Sequence, residues 1–339
     1  MSVGQIKLLI VDDSLFMQKI LSDLVQSDPQ IKVIGTAKNG EDALSRIDSL
    51  SPDVITMDIE MPKMDGLVAV QKIMETNPVP VVMVSALTQR EAELTLKALD
   101  YGAVDYVPKP SGSLSLDIDV VKDELISKIK IASLSNINSV KTRVHKTLNA
   151  DVKSHDKIIS ITASTGGPPA ITEILTSLPA DVPPMLIVQH MPKGITRFFA
   201  QRLNDVCQFK VKEAEEGDSI QGGLALLAPG GFHMVVTKEK KVALNTDHPV
   251  NYVRPSGDVT MTSSAEAYGS KNVGVILTGI GVDGAKGIKA IKEKGGFTIA
   301  QDEKSSVVFG MPKTAFEMGY VDKVASLDLI SKEILSACG

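Results

Sequence analysis

Residues 7–25 read Lys7-Leu8-Leu9-Ile10-Val11-Asp12-Asp13-Ser14-Leu15-Phe16-Met17-Gln18-Lys19-Ile20-Leu21-Ser22-Asp23-Leu24-Val25, and two periods meet inside them. Leu8 to Val11 is a continuous apolar run of strand length that ends on two aspartates. From Leu15 onward apolar residues recur at helical spacing (Phe16, Ile20 and Leu24; Leu21 and Val25), and Ser14 stands where an N-cap belongs. Strand, turn and helix together make a βα unit. Further apolar runs follow at Val33–Gly35, Val54–Met57, Val79–Ser85 and Asp105–Val107, with amphipathic stretches between them. Residues 1–130 therefore predict a doubly wound α/β domain, a five-stranded parallel sheet with helices on both faces.

The pattern weakens from Ile131 to Asp156, a polar stretch that reads as a helix tail and then a linker. Alternation resumes at Lys157, with strands at Ile158–Thr162, Met185–Gln189, Leu224–Leu227 and Val273–Thr278 and a hairpin expected around Gly230 and Gly231. Residues 157–339 form a second, Rossmann-like α/β/α domain on this reading. The length of 339 residues agrees with two domains.

Composition removes several function classes. A formal charge of −5 leaves no basic excess for nucleic acid or an anionic membrane. The longest apolar stretches, Val79–Val84 and Met185–Val188, fall far short of the ~20 residues that span a bilayer. No charged, then apolar, then cleavable N-terminal segment is seen, so the expected address is the cytoplasm. Cys207 and Cys338 are too few for a disulfide framework or a thiolate metal cage and read as idle thiols.

In the first domain Asp12 and Asp13 follow the first strand, Asp58 the third, Ser85 ends the fourth and Lys109 follows the fifth. All five fall at carboxyl ends of parallel strands, the edge where open α/β sheets bind ligands. Three carboxylates brought together repel, so a divalent cation with oxygen ligands, Mg²⁺, is the expected neutraliser. One carboxylate could then attack a phosphoryl group whose oxygens Mg²⁺ and Lys109 hold. These residues resemble the receiver domain of two-component response regulators over about residues 5–128. The resemblance implies a flavodoxin-like fold, Asp58 as phospho-acceptor, Asp12 and Asp13 with Asp58 as the metal site, and Ser85 as the hydroxyl that senses the phosphoryl group. It also implies Lys109 as counter-ion, Tyr106 as switch aromatic and a cis Lys109–Pro110 peptide bond.

In the second domain Ala163-Ser164-Thr165-Gly166-Gly167-Pro168-Pro169 turns from a strand into a helix beginning near Pro169. Ser164 sits exposed at that turn, with glycines allowing close approach. A serine nucleophile needs a neutral imidazole. Of the five histidines, His145 and His155 lie in the linker, His248 in a polar loop and His233 after Gly-Gly, whereas His190 follows the strand Met185–Gln189. The third partner is a carboxylate at another strand end, and Asp283 qualifies. The order Ser, His, Asp differs from that of α/β-hydrolases and of the two serine-protease folds.

A rival reading starts from Gly279-Ile280-Gly281-Val282-Asp283-Gly284, which fits G-x-G-x-x-G after a strand, with Asp302 about 20 residues on. It makes the chain a non-enzymatic response regulator with a nucleotide-binding output domain. Asp283 inside the loop argues against it, because a carboxylate would repel a pyrophosphate.

The stretches Ala163–Gly167, Gln189-His190-Met191-Pro192, Leu227–Gly231, Arg254-Pro255-Ser256, Thr278–Gly284 and Val308–Pro312 resemble the catalytic domain of the CheB family. These are chemotaxis protein-glutamate methylesterases that also act as glutamine deamidases. The resemblance implies a Ser164, His190, Asp283 triad and oxyanion donors in the backbone N–H groups of Thr165 and Ile280. It further implies phosphorylation-activated hydrolysis of glutamate methyl esters on chemoreceptors, a chemotaxis sensor histidine kinase as phosphodonor, no cofactor for the esterase, and a monomer. Two positions depart from the family pattern: Thr162 stands where Gly is usual, and Gly257 where Val is usual. His233 is open between a structural role and the substrate cleft.

Overall fold

A computed structural model describes residues 4–86, 88–110, 118–137 and 156–339. Two compact units divide the chain, Met1–Thr142 and Arg143–Gly339. The linker expected over 131–156 begins inside the last turn of the helix Ile118–Ser133, and His145 and His155 lie outside the described residues. No helix among the described residues is long and apolar enough to cross a membrane.

The first unit contains β1 (Ile6–Val11), β2 (Ile31–Ala37), β3 (Val54–Asp58), β4 (Val81–Ser85) and β5 (Asp105–Pro108) in one sheet of order β2-β1-β3-β4-β5, every pair parallel. This is the flavodoxin-like order, with its switch point at β1 and β3. Helices start where the sequence supplies caps: Ser14, Asn39, Asp65 and Thr88 side chains accept from the backbone N–H groups of Met17, Asp42, Val68 and Glu91. Helical spacing of apolar residues does not by itself set the buried face of the first helix. Phe16 is 63% exposed, and Gln18 turns inward instead, its amide donating to the carbonyls of Asp12 and Ala37 at 2.7 and 3.2 Å. A buried amide is tolerated there because both bonds close the β1 edge. The Lys109–Pro110 bond is trans, contrary to expectation, and the cis X–Pro bond among the described residues is Arg254–Pro255. Trans is the ordinary preference of the X–Pro amide.

The second unit contains β6 (Ile158–Ala163), β7 (Met185–Gln189), β8 (Lys210–Glu213), β9 (Leu224–Leu227), β10 (His233–Val236), β11 (Val242–Asn245), β12 (Asn272–Ile276), β13 (Phe297–Gln301) and β14 (Lys323–Ala325). Seven of these form a parallel sheet, β14-β13-β12-β6-β7-β9-β8, and β10 pairs antiparallel with β11. The hairpin is displaced from the glycines expected to make it. It turns at Thr237–Lys241, where the Thr237 N–H donates to the Lys241 carbonyl at 2.9 Å and Lys240 takes φ 57°. Gly230 serves close approach, since a Cβ there would lie 2.5 Å from the backbone carbon of Pro192. Chain direction reverses between β6, which leads to β7, and β12, which leads to β13. Their carboxyl ends form the switch-point crevice. Met261, Ile276, Ile288, Ile291 and Met311 pack into a buried cluster in this unit, each contributing ~1.5–3 kcal/mol by removal from water.

Candidate active site

Backbone pairing continues past the ends of β6, β7 and β12 and sets the positions of the three predicted catalytic residues. Ala163 and Gln189 are register partners, so Ser164 and His190 are the next residues on neighbouring parallel strands. The His190 N–H donates to the Ala163 carbonyl at 3.2 Å, and the Ser164 N–H donates to the Thr278 carbonyl at 3.0 Å. Gly166, at φ 75°, starts the helix Gly167–Ser177 two residues before Pro169, and a Cβ on Gly167 would lie 2.0 Å from the Gln189 amide oxygen. The glycines are there for approach. On the other side of Ser164 a Cβ on Gly279 would lie 2.7 Å from the serine Cβ.

His190 Nε2 donates to Asp283 Oδ2 at 2.8 Å. Asp283 is buried and also accepts from Ser256 Oγ (2.5 Å), the Gly257 N–H (2.6 Å) and Asn251 Nδ2 (3.1 Å). Burial alone raises its pKa, but the bonds from His190, Ser256 and Gly257 outweigh it and hold the carboxyl below the ordinary value. A permanently charged carboxylate therefore faces the imidazole. Because Nε2 is committed to Asp283, Nδ1 is the ring nitrogen left to act on a proton. Ser164 Oγ makes no hydrogen bond to His190 in this arrangement. That contact commonly closes only with substrate present.

Asp302, which the nucleotide reading required, accepts from the Ser305 N–H and Oγ at 2.9 and 2.5 Å and so closes a local turn. His233 is buried, and its Nε2 meets the His248 carbonyl at 3.2 Å. Both cysteines are free, and burial pushes their thiols up, Cys207 to about 12 and Cys338 to about 11. Neither is a thiolate at neutral pH.

In the first unit ligand atoms of Asp12, Asp13 and Asp58 lie within 4.8 Å of one another. Asp12 and Asp58 are buried and Asp13 is exposed. Lys109 Nζ stands 2.7 Å from Asp58 and 3.1 Å from Asp12. One ammonium against three carboxylates leaves the cluster negative. Burial pushes Asp58 up to about 6, against the lowering by Lys109, and the Asp12 charge adds to the rise. Hard oxygen donors in such a cluster fit a divalent cation. Ser85 Oγ donates to Glu91 Oε2 at 3.0 Å, and the Ala86 N–H donates to the same oxygen. Tyr106 is buried, with Lys128 Nζ 4.8 Å from its ring centroid and 2.5 Å from its carbonyl oxygen.

Comparisons with known proteins match both domains. A family model described as CheB methylesterase matches residues 159–334, and one described as response regulator receiver domain matches residues 8–119. A Pyrococcus horikoshii protein named protein-glutamate methylesterase/protein-glutamine glutaminase is 46% identical over 345 residues, covering 98% of this chain and 94% of its own. One of the same name from Halalkalibacterium halodurans is 44% identical and covers 99% of each. The chain belongs to the CheB methylesterase family. The crystal structure of the Thermotoga maritima CheB methylesterase catalytic domain matches 53% of this chain and 97% of its own, at 42% identity and a TM-score of 0.52. The nucleotide-binding alternative finds no support.

Thr162 and Gly257, the two positions expected to depart from the family pattern, lie against each other. A Cβ on Gly257 would lie 2.3 Å from Thr162 Oγ1 and 3.2 Å from Asp283 Oδ2. The Thr162 side chain, fully buried, fills the space a side chain at 257 would enter, so the glycine there leaves room for the threonine. Its Oγ1 finds no hydrogen-bond partner among the described residues. Sequence reasoning missed Ser256, Asn251 and the Gly257 N–H as partners of Asp283, Gln189 as donor to the Ser164 carbonyl (2.9 Å), and Glu91. The Arg254-Pro255-Ser256 stretch was the available signal for Ser256.

Proposed function

We propose that this chain hydrolyses glutamate γ-methyl esters of chemoreceptors, and deamidates specific glutamines there, at a rate raised by phosphorylation of Asp58. The observation that carries the reading is the His190–Asp283 bond beside Ser164. Ser164 Oγ attacks the γ-carbonyl while His190 Nδ1 takes its proton. The resulting oxyanion is met by the N–H groups of Thr165, which follows Ser164, and of Ile280, which follows Gly279. Collapse of the tetrahedral centre expels methanol, which receives the proton from His190. Water, deprotonated by the same nitrogen, then cleaves the acyl-enzyme to glutamate and free serine. Asp283 remains ionised and stabilises the imidazolium formed in each half-reaction. A glutamine amide follows the same route, with ammonia as leaving group.

In the receiver Asp58 is the phosphoryl acceptor, and a chemotaxis sensor histidine kinase is the donor. Asp12, Asp13 and Asp58 would hold Mg²⁺, which would supply charge neutralisation for the transferred group. Lys109 pairs with the phosphoryl oxygens, and Ser85 and the Ala86 N–H exchange Glu91 for the new anion. Methanol release from methylated chemoreceptor tests the esterase: Ser164→Ala, with its fold retained, is expected to lose several orders of magnitude. Near wild-type release by that variant would remove Ser164 from the mechanism.

A further inference from the structure

Asn251 and Tyr252 form a two-residue hairpin turn, with Val250 and Val253 exchanging backbone hydrogen bonds at 3.1 and 3.0 Å. Both central residues lie in the left-handed region, at φ 52° and 65°. Such a turn favours Asn then Gly, because an L side chain in that region costs ~1–2 kcal/mol. Asn251 is explained: Nδ2 donates to Asp258 at 2.9 Å and to Asp283 at 3.1 Å, tying the turn to the catalytic acid. Tyr252 is not explained by the fold. It occupies a glycine position, and its side chain is wholly exposed, so it stabilises nothing in this chain. Strain retained at a site, without structural return, points to function.

Two more apolar side chains stand out of the same edge. Ile280 and Val282 are 48% and 49% exposed, on the loop whose Gly279 lies against Ser164 and whose Asp283 holds His190. A glutamyl γ-carbonyl lies only about 4 Å from its own Cα, three C–C bonds away. When that carbonyl reaches Ser164, the chain carrying it must therefore pass directly over this rim. We propose that Tyr252, with Ile280 and Val282, is the apolar contact that grips the protein substrate and separates it from small esters. An exposed tyrosine is well suited to this, offering large contact area at low entropic cost. The proposal rests on the methylesterase reading and adds a specificity determinant to it.

The test uses the full chain and two substrates, methylated chemoreceptor and the γ-methyl ester of N-acetylglutamate amide. Tyr252→Gly suits the purpose, because glycine relaxes the left-handed backbone, and the variant is expected to melt at or above the wild-type temperature. The receptor-to-small-ester ratio of kcat/KM is expected to fall about tenfold or more, chiefly through KM for the receptor. Tyr252→Phe keeps the ring and is expected to retain the ratio. A ratio within about twofold of wild type in Tyr252→Gly overturns the inference while leaving the activity standing. Absence of methanol from both substrates with wild type overturns the activity and the inference together.

Discussion

Asp283 and Asp58 are both buried carboxylates at the carboxyl edge of a parallel sheet, yet their surroundings push them in opposite directions. Asp283 is met by five donors if the weak 3.4 Å contact from the Asp258 N–H is included, and it is held below the ordinary carboxylate range. Asp58 accepts from the Ile59 N–H and Lys109 but shares its site with Asp12 and Asp13, and burial drives it up to about 6. The first is complete as folded and, in the proposed mechanism, an orienting charge that does not change during turnover. The second lacks positive charge and is completed from outside. The carboxyl edge of a parallel sheet thus carries, in the proposed mechanism, a preorganised orienting carboxylate in one unit and a receptor for added charge in the other. The distinction lies in the count of donors against carboxylates, not in the fold.

The largest effect should come from neutralising the completed site. Asp283→Asn removes the charge that stabilises the imidazolium and disturbs the ring's tautomer, and kcat for methanol release should fall by on the order of 10³–10⁴-fold. Melting and circular dichroism would check that the protein remains folded. A loss under tenfold would mean that the charge at 283 does little for catalysis, and the comparison with Asp58 would lose its basis.

The fit beneath the same residue offers a smaller perturbation. Gly257→Val puts carbon against Thr162 Oγ1 and beside Asp283, and overpacking of this kind costs ~1–3 kcal/mol. The double variant with Thr162→Gly should recover most of that stability and most of the accompanying loss of activity. In denaturant titrations the coupling should be about 1 kcal/mol or more. Additive effects would show that the two departures are independent.

Much of this was legible in the sequence because parallel strands that are buried on both faces read as apolar runs, and the residue after each run marks the edge. That is how Ser164, His190, Asp58 and Lys109 could be placed. The strands missed are those without such runs. In β8, Lys210-Val211-Lys212-Glu213, one of four residues is buried, and β14 is a short edge strand with Lys323 and Val324 exposed. The inner strand β13 hides Thr298 and Gln301, whose polar groups are met by Asp322 and by the Thr278 N–H. The cradle of Asp283 was illegible for a different reason. Asn251, Ser256 and Gly257 lie 26–32 residues away in the chain and meet the carboxylate only through tertiary packing. Gly230 and Gly231 misled because they make a turn of their own ahead of β10, with the Phe232 N–H donating to the Pro229 carbonyl at 3.2 Å and Gly231 at φ 84°, and that turn looks, in sequence, like the one between two paired strands.

At the Asp58 site the expected effect is smaller and depends on pH. With a folded pKa raised to about 6 from 3.8, ionisation of Asp58 opposes folding, and this cost appears as pH rises from about 4 to 6. A cation that requires the carboxylate must displace its proton below about pH 6. Mg²⁺ affinity should therefore rise about tenfold from pH 5 to pH 7 and then level off, and the rise in melting temperature on adding Mg²⁺ should be greater at pH 7. Titration followed by calorimetry reads both, and a flat profile would place Asp58 in the ordinary carboxylate range.

The most direct test of the account is methanol release from methylated chemoreceptor by wild type, Ser164→Ala and Asp58→Asn, each with and without a small phosphodonor and Mg²⁺. The account predicts release by wild type that rises with the phosphodonor, basal release by Asp58→Asn that does not respond to it, and essentially none by Ser164→Ala under either condition. Release that survives loss of Ser164, or that rises with the phosphodonor in Asp58→Asn, would contradict it.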